Sequence, residues 1–195
     1  MKNHIHQFIA ITFIAVFAVG CASAPSRFYT LNSTARGDGT SAAQYAVVVG
    51  PVTVPTEVDR PQFTVQAAPN RVAVDEFNRW AEPLNENIAR VVAADLAALL
   101  GTPRVAAVSL ANFNPAWRVT LDIQRFESVP GKSAQIEALW VVRQSAGGIS
   151  LSGRTTAREP VADKSFDALA AAHSRALAQV SRDIAAAIRS EAVAK

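Results

Sequence analysis

Between Trp117 and Thr155 the apolar residues keep a period of two through three consecutive runs, and this limits the possible folds more than any other stretch. Trp117, Val119, Leu121 and Ile123 alternate with Arg118, Thr120, Asp122 and Gln124, which gives one buried and one wetter face. Pro130-Gly131 turns the chain, and Ile136, Ala138, Trp140 and Val142 alternate again. Gly147-Gly148 makes the next turn, and Ile149, Leu151 and Thr155 form a third strand. Three sequential strands of this kind make an antiparallel meander. Leu139 and Val141 run out of phase with the buried set of their strand, so both of its faces are apolar. The second face then needs a cover, either the loop from Asn32 to Gln44 or a neighbouring subunit, because a sizeable exposed apolar patch is uncommon on a monomer.

On either side of the strands the period changes to that of a helix. Leu84, Ile88, Val91, Val92, Leu96, Leu99 and Leu100 share one face, Pro83 suits the first turn, and Gly101 with Pro103 closes the helix. Asp95 lies close to this stripe and reads as a boundary residue. After Pro160 and Asp163, a long helix keeps Phe166, Leu169, His173, Leu177, Val180, Ile184 and Ile188 on a second stripe. Upstream, Phe28 to Leu31 is a short edge strand, Asn32 to Gln44 a mobile loop, and Tyr45 to Val49 a strand buried on both faces. Phe63, Val65 and Ala67 alternate up to a Pro69-Asn70 turn, and Val72 and Val74 alternate back. The expected fold is α+β: an antiparallel sheet with two long amphipathic helices packed mainly on one face.

The N-terminal stretch is a different kind of signal. Lys2 precedes the apolar run from Phe8 to Val19, which is too short to span a bilayer, since spanning takes about 20 apolar residues. The run ends in Ala18-Val19-Gly20-Cys21, and Cys21 is the single cysteine of the chain. These four residues resemble a bacterial lipobox, with Ala18 where that pattern prefers Leu. The resemblance implies cleavage before Cys21, a thioether-linked diacylglycerol on its sulfur and a further acyl chain on its new amine. More than one acyl chain gives lasting attachment where one is marginal. The organisation read from this is a signal peptide over 1–20, a lipidated tether over 21–27 and a single domain over 28–190. Ala22 stands where Asp would be the inner-membrane retention signal, which points to the outer membrane, facing the periplasm.

The segment from Pro55 to Leu84 carries a more specific pattern. Asp59-Arg60-Pro61-Gln62-Phe63 is followed by Asn78-Arg79-Trp80-Ala81-Glu82-Pro83-Leu84. This ordered pair resembles the ABC-transport auxiliary lipoproteins of the PqiC type, and the resemblance extends over essentially the whole mature chain. It implies a non-enzymatic subunit that docks or extends an envelope-spanning lipid-transport machine at the outer membrane. The implied partner is an MCE-domain tunnel protein, and the implied assembly a homo-oligomeric ring.

Two readings of the motif residues stand side by side. Arg79, Trp80 and Glu82 could bind a partner, or Trp80 could fill the seam between hairpin and helix with its indole N–H on a backbone acceptor. Asp59 and Arg60 could form an interface salt bridge, or the carboxylate could stabilise a local turn. Leu139 and Val141 are candidate subunit contacts.

Other chemistry is poorly supplied. The formal charge of +3 becomes +2 once Lys2 leaves with the signal, and the basic residues are scattered, so nucleic-acid binding has no electrostatic footprint. His173 is the one histidine of the mature chain and lies on an apolar stripe. No Gly-Xaa-Ser-Xaa-Gly elbow, Cys/His cluster or phosphate-cradling glycine loop is present, which argues against a hydrolase, a metal site, a cofactor or an ATPase. A periplasmic lipid- or amphiphile-binding lipoprotein is the alternative, with an unrecognised hydrolase behind it.

Overall fold

The computed structural model describes residues 24–37, 39, 42–108, 113–148 and 150–193. The signal peptide, Cys21 and Ile149 lie outside them. Three strands form the expected meander: β6 (Trp117–Val129), β7 (Ser133–Gln144) and β8 (Ser150–Pro160), paired antiparallel in succession. β2 (Val47–Thr53) lies against the other edge of β6, and β5 (Val105–Ala106) lies beyond it, giving the order β5-β2-β6-β7-β8. A second sheet has the order β1-β4-β3, from β1 (Arg27–Tyr29), β3 (Gln62–Ala68) and β4 (Arg71–Trp80).

The expectation of one antiparallel sheet is therefore corrected twice. There are two sheets, and both are mixed: β2 is parallel to β5 and to β6, and β1 is parallel to β4. Parallel neighbours need a crossover connection rather than a hairpin. Between β2 and β5 that crossover contains the β3–β4 hairpin and helix α1 (Leu84–Leu100). Val47, Val48 and Val49 are all buried, as a continuous apolar run predicts, because β2 is an interior strand.

Helix α1 and helix α2 (Phe166–Val193) pack on each other and on one face of the five-stranded sheet, as expected. Trp117, Val119, Leu121 and Ile123 of β6 and Ala134, Ile136, Ala138, Trp140 and Val142 of β7 point to the core and are buried. α1 begins after Pro83, which leaves a carbonyl for the Asn87 N–H but supplies no side-chain cap. It ends at Gly101, whose left-handed backbone (φ 64°) no β-branched residue would adopt cheaply. α2 is preceded by Ser165, whose Oγ accepts the Ala168 N–H at 3.1 Å. Trp140 donates its indole N–H to Thr155 Oγ1 at 3.1 Å, and it lies across Gly153, where any Cβ would enter the ring.

On the outer face of β7, Leu139 and Val141 are half-buried. Leu139 is flanked in register by Asp122 and Arg154, and Val141 by Thr120 and Ser152. The loop suggested as their cover lies elsewhere: Ala43 donates to Leu100 O, and residues 32–35 bond to α1 and α2. Within its described part, the backbone N–H groups of Asn32, Thr34, Ala35 and Ala43 find acceptors on the two helices. A polar, aperiodic sequence gave no means of seeing these acceptors.

Candidate functional site

The two halves of the motif pattern, about twenty residues apart in sequence, meet in space. After β2, Pro55 O accepts the N–H groups of Val58 and Asp59, and Arg60 donates to Val58 O, which folds the chain into a tight corner. Pro61 O then accepts the Trp80 N–H at 2.7 Å, and Ala81 donates to Tyr29 O at 2.8 Å. These bonds fix the Asp59-Arg60-Pro61 corner beside the segment from Trp80 to Leu84. Between them lies a groove of about 370 Å³ lined by Asp59, Arg60, Pro61, Trp80, Ala81, Glu82, Pro83 and Leu84.

Trp80 is the floor of this groove and is held from behind. The residue is 5% exposed, and its ring stacks on Phe63 with centroids 4.3 Å apart and meets Phe126 edge-on at 6.0 Å. Phe63 in turn contacts Tyr29 and Phe166, so one aromatic cluster joins the small sheet, β6 and the start of α2. The seam-filling reading of Trp80 is thus correct for the ring. It is not correct for the indole N–H, which has no acceptor among the described residues and is not among their buried unpaired atoms, so it reaches solvent.

The charged rim divides into occupied and unoccupied groups. Glu82 pairs with Arg90 and accepts from Thr30 Oγ1 at 3.3 Å. Asp59 and Arg60 are exposed, and neither side chain bonds to a described residue. The turn at Asp59 is made by backbone bonds alone, so its carboxylate is not the turn's stabiliser. Arg79 belongs elsewhere: it lies opposite Phe28 on the outer side of β4, donates through Nε to Glu76 O at 2.8 Å and pairs with the Glu76 carboxylate at 3.6 Å. The structure therefore brings together Asp59, Arg60 and Trp80, and it separates them from Arg79, Leu139 and Val141.

The model of the ABC-type transport auxiliary lipoprotein component matches residues 29–185, most of the chain. The chain belongs to that family. The auxiliary lipoprotein is accordingly lipid-anchored to a membrane and serves an ABC-type transport system. In fold it is similar to a crystal structure of an uncharacterised protein, at 18% identity and TM-score 0.70, covering 85% of this chain and 99% of the other. It is similar also to protein XCC0632 of Xanthomonas campestris, a DUF330 protein, at 21% identity and TM-score 0.67, covering 82% and 92%. No curated protein matches it in sequence. Among the described residues no helix is long and apolar enough to cross a membrane, and no group of three or more acidic, His or Cys side chains could hold a metal.

A site that sequence reasoning missed lies between the helices of the auxiliary lipoprotein. Asp95 was expected at a boundary, but it is fully buried. Its Oδ1 accepts Ser33 Oγ at 2.6 Å and the N–H groups of Thr34 and Ala35 at 3.1 and 3.0 Å, while Oδ2 accepts Ser181 Oγ at 3.0 Å. Two turns earlier on α1, buried Asn87 accepts the Leu31 N–H at 2.7 Å and donates back to Leu31 O and Thr30 Oγ1. Ser174 of α2 accepts the Asn32 N–H. Residues 30–35 are thus strapped across both helices. The available signal was the pair of polar residues, Asn87 and Asp95, eight apart on a helix face that is otherwise apolar.

Proposed function

We propose that this auxiliary lipoprotein is a non-catalytic docking subunit, acylated on Cys21 after removal of residues 1–20 and held at the periplasmic face of the outer membrane. The tether over 21–27 links the anchor to one domain over 28–190. The groove at Asp59, Arg60 and Trp80 receives the partner, an MCE-domain tunnel protein of a lipid-transport system. The observation that carries this reading is the convergence of the two motif segments on a groove with an apolar floor, a free indole donor and two uncommitted charges of opposite sign. Such a combination is what a binding hot spot needs: an aromatic anchor within a rim of specific polar groups. It is poor equipment for catalysis, because no group in the groove is paired as a nucleophile with a base.

A Ser–His pair does exist, since Ser128 Oγ lies 2.8 Å from His173 Nε2. Both residues are buried, and no carboxylate meets the far nitrogen, His173 Nδ1. A hydrolase built on that pair would lack an orienting acid and an accessible nucleophile.

The test is affinity capture from detergent-solubilised envelopes. Wild type brings down an MCE-domain protein, and Asp59→Arg with Arg60→Glu loses it while keeping the wild-type melting temperature, because both side chains are exposed and unbonded. Capture undiminished by the double charge reversal would place docking on another surface.

A further inference from the structure

Apart from Val108, the large apolar residues exposed among those described are confined to the small sheet: Phe28 on β1 and Val72, Val74 and Phe77 on β4. Phe28 is 65% and Phe77 44% exposed. Phe28 lies opposite Arg79 in register, beside the end of β4 that carries exposed Phe77 two residues earlier. Phe77 is held outward by a local device. Asp75 Oδ1 accepts the N–H groups of Phe77 and Asn78 at 2.9 and 2.8 Å, and the pairing with β3 jumps from Phe63–Asp75 to Gln62–Arg79, leaving Glu76, Phe77 and Asn78 bulged. Three hydrogen bonds to that carboxylate, the third from Asn78 Nδ2, keep the bulge in place. The result is two phenylalanines displayed to solvent on the small sheet, with Arg79, which pairs with Glu76, opposite Phe28.

What covers this patch follows from where the chain comes from. Phe28 is seven residues past Cys21, and a fully extended chain of that length spans about 25 Å at most. The intervening residues Ala22 to Ser26 carry no charge. An acylated Cys21 therefore keeps β1 and the adjoining β4 close to the lipid headgroups at high effective concentration. Aromatic rings enter the boundary between headgroups and acyl chains, and arginines reach from that depth to phosphate. We propose that the Phe28–Phe77 face is a second membrane contact, seated in the phospholipid headgroup layer and orienting the domain on its anchor. The inference rests on acylation at Cys21.

The test uses the full-length lipoprotein, matured in cells, purified in detergent and reconstituted into phosphatidylethanolamine–phosphatidylglycerol vesicles. Phe28→Cys, Phe77→Cys and Val108→Cys are each labelled with an environment-sensitive fluorophore. The Cys21 thiol is consumed in the thioether, so each introduced thiol is the one that reacts. Val108, as exposed as Phe28 but beyond β5 on the far edge of the large sheet, is the comparison. The expected result is blue-shifted emission at positions 28 and 77, quenched by lipids carrying a nitroxide near the headgroup, with position 108 unaffected. Bound protein with no quenching at 28 and 77, or equal quenching at all three positions, overturns the proposal. Blue-shifted emission already present in detergent and indifferent to the lipid quencher also overturns it and assigns the patch to a second copy. Mass spectrometry of the N-terminal peptide separates the premises. An unacylated Cys21 defeats anchor and membrane contact together, whereas an acylated Cys21 with unquenched probes defeats the contact alone.

Discussion

The imidazole of His173 is fully buried, stacked on the Phe126 ring with centroids 3.8 Å apart, and hydrogen-bonded through Nε2 to Ser128, which leaves Nδ1 without a partner. Burial pushes its pKa down to about 3. The unfolded chain takes up a proton near the ordinary value of 6.5, while the folded one does not until about pH 3. Between those values the unfolded state binds more protons, so stability rises with pH and is lost as pH falls below about 6.5. From pH 7 to pH 5 this group alone should cost about 2 kcal/mol. Urea unfolding of wild type and His173→Gln at the two pH values checks it, since the variant should lack that increment. Equal losses in both proteins would show that His173 is not the group responsible. The helical spacing of His173 already marked it as a packed or boundary residue, and the structure places it in the core. Asp95 was misread because its partners, Ser33, Thr34 and Ala35, lie sixty residues away in sequence and no local pattern announces them.

At the scale of elements, the strap over residues 30–35 and helix α1 depend on each other. Asp95 supplies acceptors for two backbone N–H groups and two hydroxyls, and its own burial is tolerable because all of these donors meet it. Asp95→Ala would take the acceptor from the buried Ser181 hydroxyl and from three part-buried donors of residues 33–35, at a cost of roughly 3 kcal/mol. Urea unfolding gives the number, and amide hydrogen exchange should show Thr34 and Ala35 losing protection first. A loss under about 1 kcal/mol would mean that water replaces the carboxylate easily. The ends of α1 at Leu84 and Leu100, the β3–β4 turn at Pro69-Asn70 and the meander turns at Gly131 and Gly147 followed from local chemistry. The parallel pairing of β2 between β5 and β6 did not, because nothing in a buried valine run specifies the direction of its neighbours.

For the whole molecule, a lipid-anchored domain with a groove on one side still has the outer face of β7 to account for. We propose that Leu139 and Val141 there contact a second copy, within the ring that the family resemblance implies. Closed cyclic symmetry lets identical copies satisfy such a patch without growing into filaments. The lipid-free domain should then run as a discrete oligomer by light scattering on a size-exclusion column. Leu139→Arg should give monomers with unchanged circular dichroism, since the side chain is only half-buried. A wild-type domain that is monomeric at tens of micromolar would refute self-assembly through this face. By itself the sequence determined most of the elements, the two helices on one face and the family, because periodicity, turn residues and an ordered motif are all local properties of the chain. Only the tertiary structure decided the split into two mixed sheets, the capture of residues 30–35 by Asp95 and Asn87, and the division of the motif residues into groove and outer face. Each of these is a contact between segments distant in sequence, and such contacts are selected by the joint burial of both partners rather than by the preferences of either alone.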